Sequence, residues 1–498
     1  MRMRPEMPRL LYSAAATREL DAQIIAAGIP GFELMQRAAA AVWRELRSRW
    51  PQARQMTVLC GAGNNAGDGY LIAQLAHTAG WQVEVLALAA PERLRGDAAR
   101  AWDAARQAGV AIGEWPASLP QTGLIVDALL GTGLHSEVRE PFAQVIKAVN
   151  ASGLPVVAVD LPSGLNADTG VVQGCAIRAE LTVSFITLKP GLLTAQGPDQ
   201  VGELRFAPLA ELPEHDTAAV LERLQLNCKA VLPARPKAAH KGMFGHLLLI
   251  GGNRGMGGAI MLAAETALRA GAGKVSVATR PEHVAPLLAR CPEVMAHGLD
   301  DPAQLASLLE QATALVIGPG LGRDDWAQHM LDLTLRRDLP CILDADALNM
   351  LAAQPSWLGA GRVITPHPAE AARLLGCNTG QVQQDRLLAV QQLVERFGCA
   401  AVLKGVGSLV ADADVERLPG LCTDGNPGMA TAGMGDVLSG LVGALLAQRM
   451  SAGDAARYAV LLHALAGDRA AQRHGESGLL ASDLIDHIRY YLNQRNSR

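Results

Sequence analysis

"MTVLCGAGNNAGDGYLIAQLAHTAGWQVEVLALA", residues 56–89, decides the fold of the first half of the chain. An apolar run, a glycine-rich turn, a helix-period stretch and a second apolar run follow one another, which is the order of a βαβ unit. Strands that read as continuous apolar runs are buried on both faces, so the stretch predicts a parallel sheet covered by helices. Working outward, "GLIVDALLGTG" (123–133), "LPVVAVDLPSG" (154–164), "RAELTVSFITLKPG" (178–191) and "GELRFAPL" (202–209) supply further strands. The helix-period stretch Ser13 to Trp50 precedes them and is expected to cap the sheet. Between 208 and 240 the pattern dissolves into proline-bearing sequence with no clear strand, and a boundary is expected near residue 225. Alternation then resumes through "GHLLLIGG", "GKVSVAT", "ALVIGPGLG", "CILDADALN", "RVITPHPAE" and "AAVLKGVGSLVAD". Two α/β domains, 1–225 and 226–498, follow from this reading.

Bulk properties agree. A chain of 498 residues exceeds what one core usually supports, and 49% apolar with 18% charged residues can fill two. A net charge of −4 with no Lys/Arg run excludes a phosphate-backbone binder, so no nucleic-acid partner is expected. The cysteines at 60, 175, 228, 291, 341, 377, 399 and 422 never form CxxC and read as reduced core thiols of a cytoplasmic protein. Apolar runs such as "VLSGLVGALLA" are too short to span a membrane, and the Arg-rich start leads straight into a charged helix pattern rather than a cleaved leader.

Ligands of open α/β sheets bind beyond the carboxyl ends of the strands. There the first half places Asn64, Asn65 and Asp68, then Asp127, then Asp160 and Ser163. An ordinary dinucleotide fold is the plain alternative, but the second strand lacks a terminal acid for a ribose. Carboxylates and amide oxygens at one edge suit a weakly hydrated cation and a polar substrate. In the second half "TAGMGDVLSGLVGALL" (431–446) sets Asp436 where a helix begins, with Gly433 and Gly435 leaving N–H groups for an anion. A carboxylate beside a phosphate cradle suits a base acting on a phosphoryl acceptor.

The motifs "RELDAQIIAAGIPGFELMQRAA", "GAGNNAGDG", "DALLGTGL" and "VDLPSGLN" resemble, over roughly residues 10–215, the NAD(P)HX epimerase family, with Ala66 where that family usually has glycine. The resemblance implies a Rossmann-like α/β/α sandwich. It further implies a potassium ion held by Asn65, Asp127 and Ser163. The hydrated cofactors NADHX and NADPHX would be held by Asn64, Asn65, Ala66, Gly67 and Asp68, by Gly131, Thr132, Gly133, Leu134, His135, Ser136 and Glu137, and by Asp160. Inverting the hydroxyl-bearing carbon needs acid and base, for which Asp160 is the first candidate and Asp68 the second. Each alone could instead cap a turn. A similar domain serves binding in messenger-RNA decapping scaffolds, a reading that the intact acid set disfavours.

"HKGMFGHLLLIGGNRGMGGAIMLAAETALRAGAG", "GPGLG", "DADALN", "TPHPAE", "VLKGVGSLV" and "TAGMGD" resemble, over roughly residues 228–495, the ADP-dependent NAD(P)HX dehydratases of the ribokinase-like superfamily. Met434 stands where many members have threonine. The resemblance implies that Ala259, Gly322, His367 and Asp436 contact the hydrate. It assigns Lys404, Gly405, Val406, Gly407, Ser408 and Gly435 to the nucleotide, ADP or ATP with Mg2+, and makes Asp436 the base. His367 could equally serve helix entry, Lys404 a solvated strand end, and Asp344 and Asp346 either a metal-bound nucleotide or a helix cap. The expectation is a bifunctional repair enzyme, homo-oligomeric, with a vitamin-type small-molecule kinase or a non-enzymatic nucleotide-binding scaffold as alternatives.

Overall fold

The computed structural model describes residues 7–115, 119–212, 218–226 and 232–494. Cys228 lies outside them. The chain divides into two units, Met1–Glu222 and Arg223–Arg498.

The first unit opens with β1 (Leu10–Tyr12) and two helices, Ala14–Ala26 and Gly31–Arg49, rather than one long capping helix. Gly28 and Pro30 separate them, and the hydroxyl of Ser13 caps the first by accepting from the Ala16 N–H at 3.1 Å. Met35, Ala38, Ala39, Val42 and Leu46 recur at helical spacing on the second and bury one stripe among the strand side chains. The sheet comprises β2 (Gln55–Cys60), β3 (Gln82–Ala87), β4 (Ala111–Glu114), β5 (Leu124–Ala128), β6 (Val156–Val159), β7 (Leu181–Phe185) and β8 (Glu203–Ala207). Its order is β4-β3-β2-β5-β6-β7-β8 and every pair is parallel. Strand order reverses between β2 and β5, which opens a crevice beyond their carboxyl ends.

The supposedly strandless linker contains β9 (Ala219–Arg223), whose residues Ala219 to Glu222 pair antiparallel with β1. Five residues flanked by irregular sequence carry too little periodicity to be read as a strand; the partner supplies what the sequence pattern lacks.

In the second unit the strands are β10 (His246–Ile250), β11 (Lys274–Thr279), β12 (Met295–Gly298), β13 (Ala314–Ile317), β14 (Cys341–Leu343), β15 (Arg362–Ile364), β16 (Ala400–Leu403), β17 (Ser408–Ala411) and β18 (Gly420–Cys422). They run in the order β18-β17-β16-β15-β14-β13-β10-β11-β12, parallel except for the β16-β17-β18 meander. The helix Met434–Ala447 is buried almost all round, which explains its unbroken apolar sequence. Gly440 lets it touch the helix Gly257–Arg269, because a Cβ there would stand 2.1 Å from the Ala263 carbonyl oxygen. This wedge fixes the depth at which Asp436 emerges.

Among the described residues no helix is long and apolar enough to cross a membrane. Cys60, Cys291, Cys341, Cys399 and Cys422 are buried free thiols, and Cys175 and Cys377 are free and half-buried.

Candidate active sites

At the β2/β5 reversal lies a cavity of about 240 Å³. Asn64, Asn65 and Asp68 reach it from the first turn of the helix Asn64–Thr78, Gly131 and Thr132 from the loop after β5, and Asp160 from the end of β6. Asp160 is held in the left-handed region at φ 66°, a conformation a non-glycine residue adopts only when its surroundings impose it. Three donors impose it here. Its Oδ1 accepts from the Lys189 ammonium at 2.5 Å and from the Phe185 N–H and Ser184 hydroxyl at 3.1 Å each. Among the described residues Oδ2 has no such partner. Lys189 is itself buried and also donates to the Phe185 carbonyl at 3.1 Å. Asp68 differs: burial, then the charges of Asp160 and Asp21, push its carboxyl well above the usual range. One cavity thus presents a carboxyl group paired with an ammonium and a second carboxyl that burial pushes up.

Beneath it Asp127 and Ser163 are fully buried. Asp127 accepts from the Ser163 hydroxyl at 2.6 Å, the Ser163 N–H at 2.8 Å and the Leu129 N–H at 3.2 Å. Asn65 and Ser163 both meet Leu130, the amide donating to its carbonyl at 3.3 Å and the serine oxygen accepting from its N–H at 2.8 Å. Burial raises Asp127 to about 6, against the hydrogen bonds that lower it. The set is all oxygen apart from one amide nitrogen, with one carboxylate that no basic side chain of the described residues pairs.

In the second unit the residues gather at the carboxyl ends of β13 to β16. Asp344, at the end of β14, accepts from the Lys404 ammonium at 2.9 Å and from the Ser439 hydroxyl at 2.8 Å. Burial alone would raise its carboxyl, but Lys404 and these hydrogen bonds hold it below the usual range. Ala345 takes φ 48°, turning the chain so that Asp344 points inward while Asp346 accepts from the Gly322 N–H at 3.0 Å and Arg323 at 3.2 Å. Both aspartates are therefore engaged by protein donors. His367 forms a capping box: its Nδ1 accepts from the Ala369 N–H at 3.1 Å and the Glu370 carboxylate accepts from the His367 N–H at 2.8 Å. Since Nδ1 accepts, the ring proton sits on Nε2, which lies 3.4 Å from the Glu370 Oε1 on a half-exposed ring. The turn Lys404 to Ser408 is held from below by buried Arg386, which donates to the carbonyls of Leu403 at 3.2 Å and Lys404 at 3.3 Å.

Asp436 lies in the first turn of its helix, after Gly433 at φ 91°. Burial and then the Asp344 charge raise its carboxyl to about 7, with Lys404 opposing. Gly435 lies beside Lys404 and Asp344: a Cβ there would stand 3.4 Å from the Lys404 Nζ and 3.5 Å from the Asp344 Oδ2. A half-protonated carboxyl, an ammonium and a helix N-terminus thus meet at one point.

A family model described as NAD(P)H-hydrate dehydratase matches residues 247–490, and one described as YjeF-related protein N-terminus matches residues 31–191. The bifunctional NAD(P)H-hydrate repair enzyme Nnr of Coxiella burnetii is 46% identical over 492 residues, which cover 97% of this chain and 99% of that one. The chain belongs to the bifunctional NAD(P)H-hydrate repair enzymes. The enzyme Nnr of Escherichia coli is also 46% identical, over 94% of this chain and 90% of its own. A hypothetical protein of Streptococcus mutans, of known structure, is 31% identical with a TM-score of 0.50, covering 54% of this chain and 97% of that one. As a member of this family the chain is a Rossmann-like α/β/α sandwich followed by a ribokinase-like domain.

Within this repair enzyme the first cavity is not lined by every residue expected of it. Ala66 and Gly67 face inward from the helix, Gly67 against Met35 and Ala98, and are sealed from the cavity. Gly133 to Glu137 run outward over the surface, where Glu137 abuts Gly174. Conversely, Lys189, Asp21, Glu370, Ser439 and Arg386 escaped the sequence reading. Lys189 had a signal, since "LKPG" follows a parallel strand at the edge where ligands bind. Arg386 had none, because it stands in a helix far from the strand ends in sequence.

Proposed function

We propose that the first unit epimerises (R)- to (S)-NAD(P)HX and that the second dehydrates the S-form to NAD(P)H at the expense of ADP. The observation that carries the reading is, at each site, a Lys–Asp ion pair beside a second carboxyl that burial pushes up. In the first, Asp68 donates to the departing hydroxyl as the ring nitrogen's lone pair expels it, and Asp160 takes a proton from the water that returns on the other face. Lys189, 2.5 Å away, orients Asp160 in that role. Asn65, Asp127 and Ser163, with the Leu130 carbonyl, fit a potassium ion, whose charge would compensate the buried Asp127. Held there, such an ion would anchor the loop that carries Gly131 and Thr132.

In the second, Asp436 removes the proton of the hydrate hydroxyl and the oxygen attacks the terminal phosphorus of ADP, releasing AMP. The N–H groups at Gly433 to Gly435, with Lys404, receive the charge that develops on the phosphoryl oxygens. The phosphate then leaves the ring carbon with the nitrogen lone pair behind it, and loss of a proton from the neighbouring carbon restores the reduced nicotinamide. The turn Lys404 to Ser408 holds the nucleotide, and Ala259, Gly322 and His367 hold the hydrate. Mg2+ would supply charge neutralisation to the nucleotide phosphates. Asp344 and Asp346 accept from protein donors, Lys404 and Ser439 for the one and Gly322 and Arg323 for the other.

Incubating the pure protein with mixed NADHX epimers, alone and with ADP or ATP, tests the whole. Exchange of epimers without nucleotide and complete conversion to NADH with it are expected. A phosphorylated hydrate that accumulates would instead make the second unit a kinase.

A further inference from the structure

The segment between β18 and the helix Met434–Ala447 is tied to a residue that neither mechanism uses. From the helix Ala452–His474, the Asp468 carboxylate accepts from the Gly425 N–H at 3.0 Å through Oδ2 and from the Asn426 side-chain amide at 2.9 Å through Oδ1. Asn426 passes the constraint on, its own Oδ1 accepting from the Gly428 N–H at 3.1 Å. The segment lies flat on that helix: a Cβ at Gly467 would stand 2.4 Å from the Met429 sulfur, and one at Gly428 2.4 Å from the Glu476 carbonyl oxygen. The far end lies by the same helix, where buried His463 feels the Met434 backbone. Between the two ends Ala430 to Ala432 stand exposed and lead into Gly433 and Gly435.

Backbone N–H groups stabilise a transferring phosphoryl group only if they already point at it, and the exposed stretch Ala430, Thr431 and Ala432 that leads into Gly433 has no side-chain anchor of its own among the described residues. We propose that Asp468, acting through Asn426, is the positioning residue that holds the strap Gly425 to Gly433 in its phosphate-receiving shape, and so sets how tightly this enzyme holds ADP. The proposal rests on the assignment of Asp436 to the dehydration site. A carboxylate is required because Gly425 and Asn426 both present N–H donors to it. An asparagine at 468 would set one amide NH2 against another.

The test uses the full-length protein and the variants Asp468→Asn, Asn426→Asp and the double exchange. In the double variant the amide at 468 donates to the carboxylate at 426, while the N–H groups of Gly425 and Gly428 still meet oxygens; only the charge changes sides. Each single variant should raise the KM for ADP about 10-fold or more, the loss of a charge-assisted hydrogen bond. The KM for the S-hydrate and the rate of epimer exchange should hold, and the double variant should recover ADP binding to within about 3-fold, as direct coupling requires. A merely structural role would lower the melting temperature with the ADP KM unmoved, or raise both KM values together, and either result overturns the proposal. So does a double variant no better than the singles. If Asp468→Asn fails to fold, Asn426→Ala decides, because it leaves the bond to Gly425 in place: a raised ADP KM supports the proposal and a wild-type value overturns it. Asp436→Asn is measured alongside. Should it still dehydrate, the site assignment has failed; should it be inactive while Asp468→Asn binds ADP normally, only the present inference has.

Discussion

Each unit sets a Lys–Asp pair beside a second carboxyl that burial pushes above the usual range, and the two arrangements differ in which carboxyl the ligand can reach. In the first unit Lys189 pairs with Asp160 at 2.5 Å and Asp68 is the raised partner. In the second Lys404 pairs with Asp344 at 2.9 Å and Asp436 is raised to about 7. Asp160 keeps an oxygen for the cavity, whereas Asp344 is 1% exposed and engaged by Lys404 and Ser439. On the proposed reading epimerisation gives one proton as the hydroxyl departs and takes another as water returns, and so calls on both carboxyls at the substrate. Phosphoryl transfer needs one base and a positive surround, so there the paired aspartate retreats into the wall and serves to orient Lys404 and raise Asp436.

The strongest way to break this comparison is Asp436→Asn. Dehydration should fall between about 100- and 10,000-fold, the range for removing a positioned general base, while epimer exchange is untouched. Loss of both activities in a single-turnover assay would show that the two sites are not independent. Next comes Asp160→Asn, which keeps the side-chain shape but removes the charge that Lys189 faces. Epimer exchange in the full chain should drop about 100-fold with dehydration of pure S-hydrate unchanged. A wild-type rate would mean that Asp160 only shapes the turn and that Asp68 carries the chemistry alone.

How much of this was legible in the sequence depends on where each residue lies relative to a strand end. Asp160, Asp127, Asp344, His367 and Lys404 were visible because parallel strands read as apolar runs and their ends are functional by topology. Asp436 was visible because glycines mark a helix start. Of the two readings left open for His367 the helix-entry role is visible, as Nδ1 caps the helix and Nε2 lies 3.4 Å from the Glu370 carboxylate. Arg386 and Asp468 were illegible for a shared reason: each acts on a segment distant in sequence, and only the packing of helices brings them together. The short β9 was missed because pairing with β1, not its own pattern, makes it a strand.

A smaller effect sharpens the comparison on the first side. If a potassium ion compensates Asp127, Asp127→Asn should raise the potassium needed for half-maximal epimer exchange by about 10-fold, the scale on which metal-site substitutions act. Lithium should not replace potassium in the wild type. Rates that are equal in potassium-free buffer would remove the ion from the mechanism and leave Asp127 as a hydrogen-bonded loop anchor.

The smallest effect asks whether the raised carboxyls destabilise their own fold. The Asp436 carboxyl ionises near pH 7 in the native state and near 3.8 when unfolded. Below the lower value both states hold the proton and the residue costs nothing. As pH rises between the two values the unfolded chain releases a proton that the native chain keeps, so stability falls; above about 7 the loss is complete and constant. Asparagine does not titrate. Asp436→Asn should therefore melt above the wild type by a margin that grows from pH 5 to pH 7 and then levels off, a rise of roughly a few degrees for a unit of this size. Asp68→Asn should do the same in the first unit, since its carboxyl is also raised by burial. Calorimetry of both variants at pH 5, 7 and 8 reads the two margins side by side. A margin independent of pH would mean that the substitution repacks the site rather than removing a charge, and that in this unit the raised carboxyl is not strained by its surroundings.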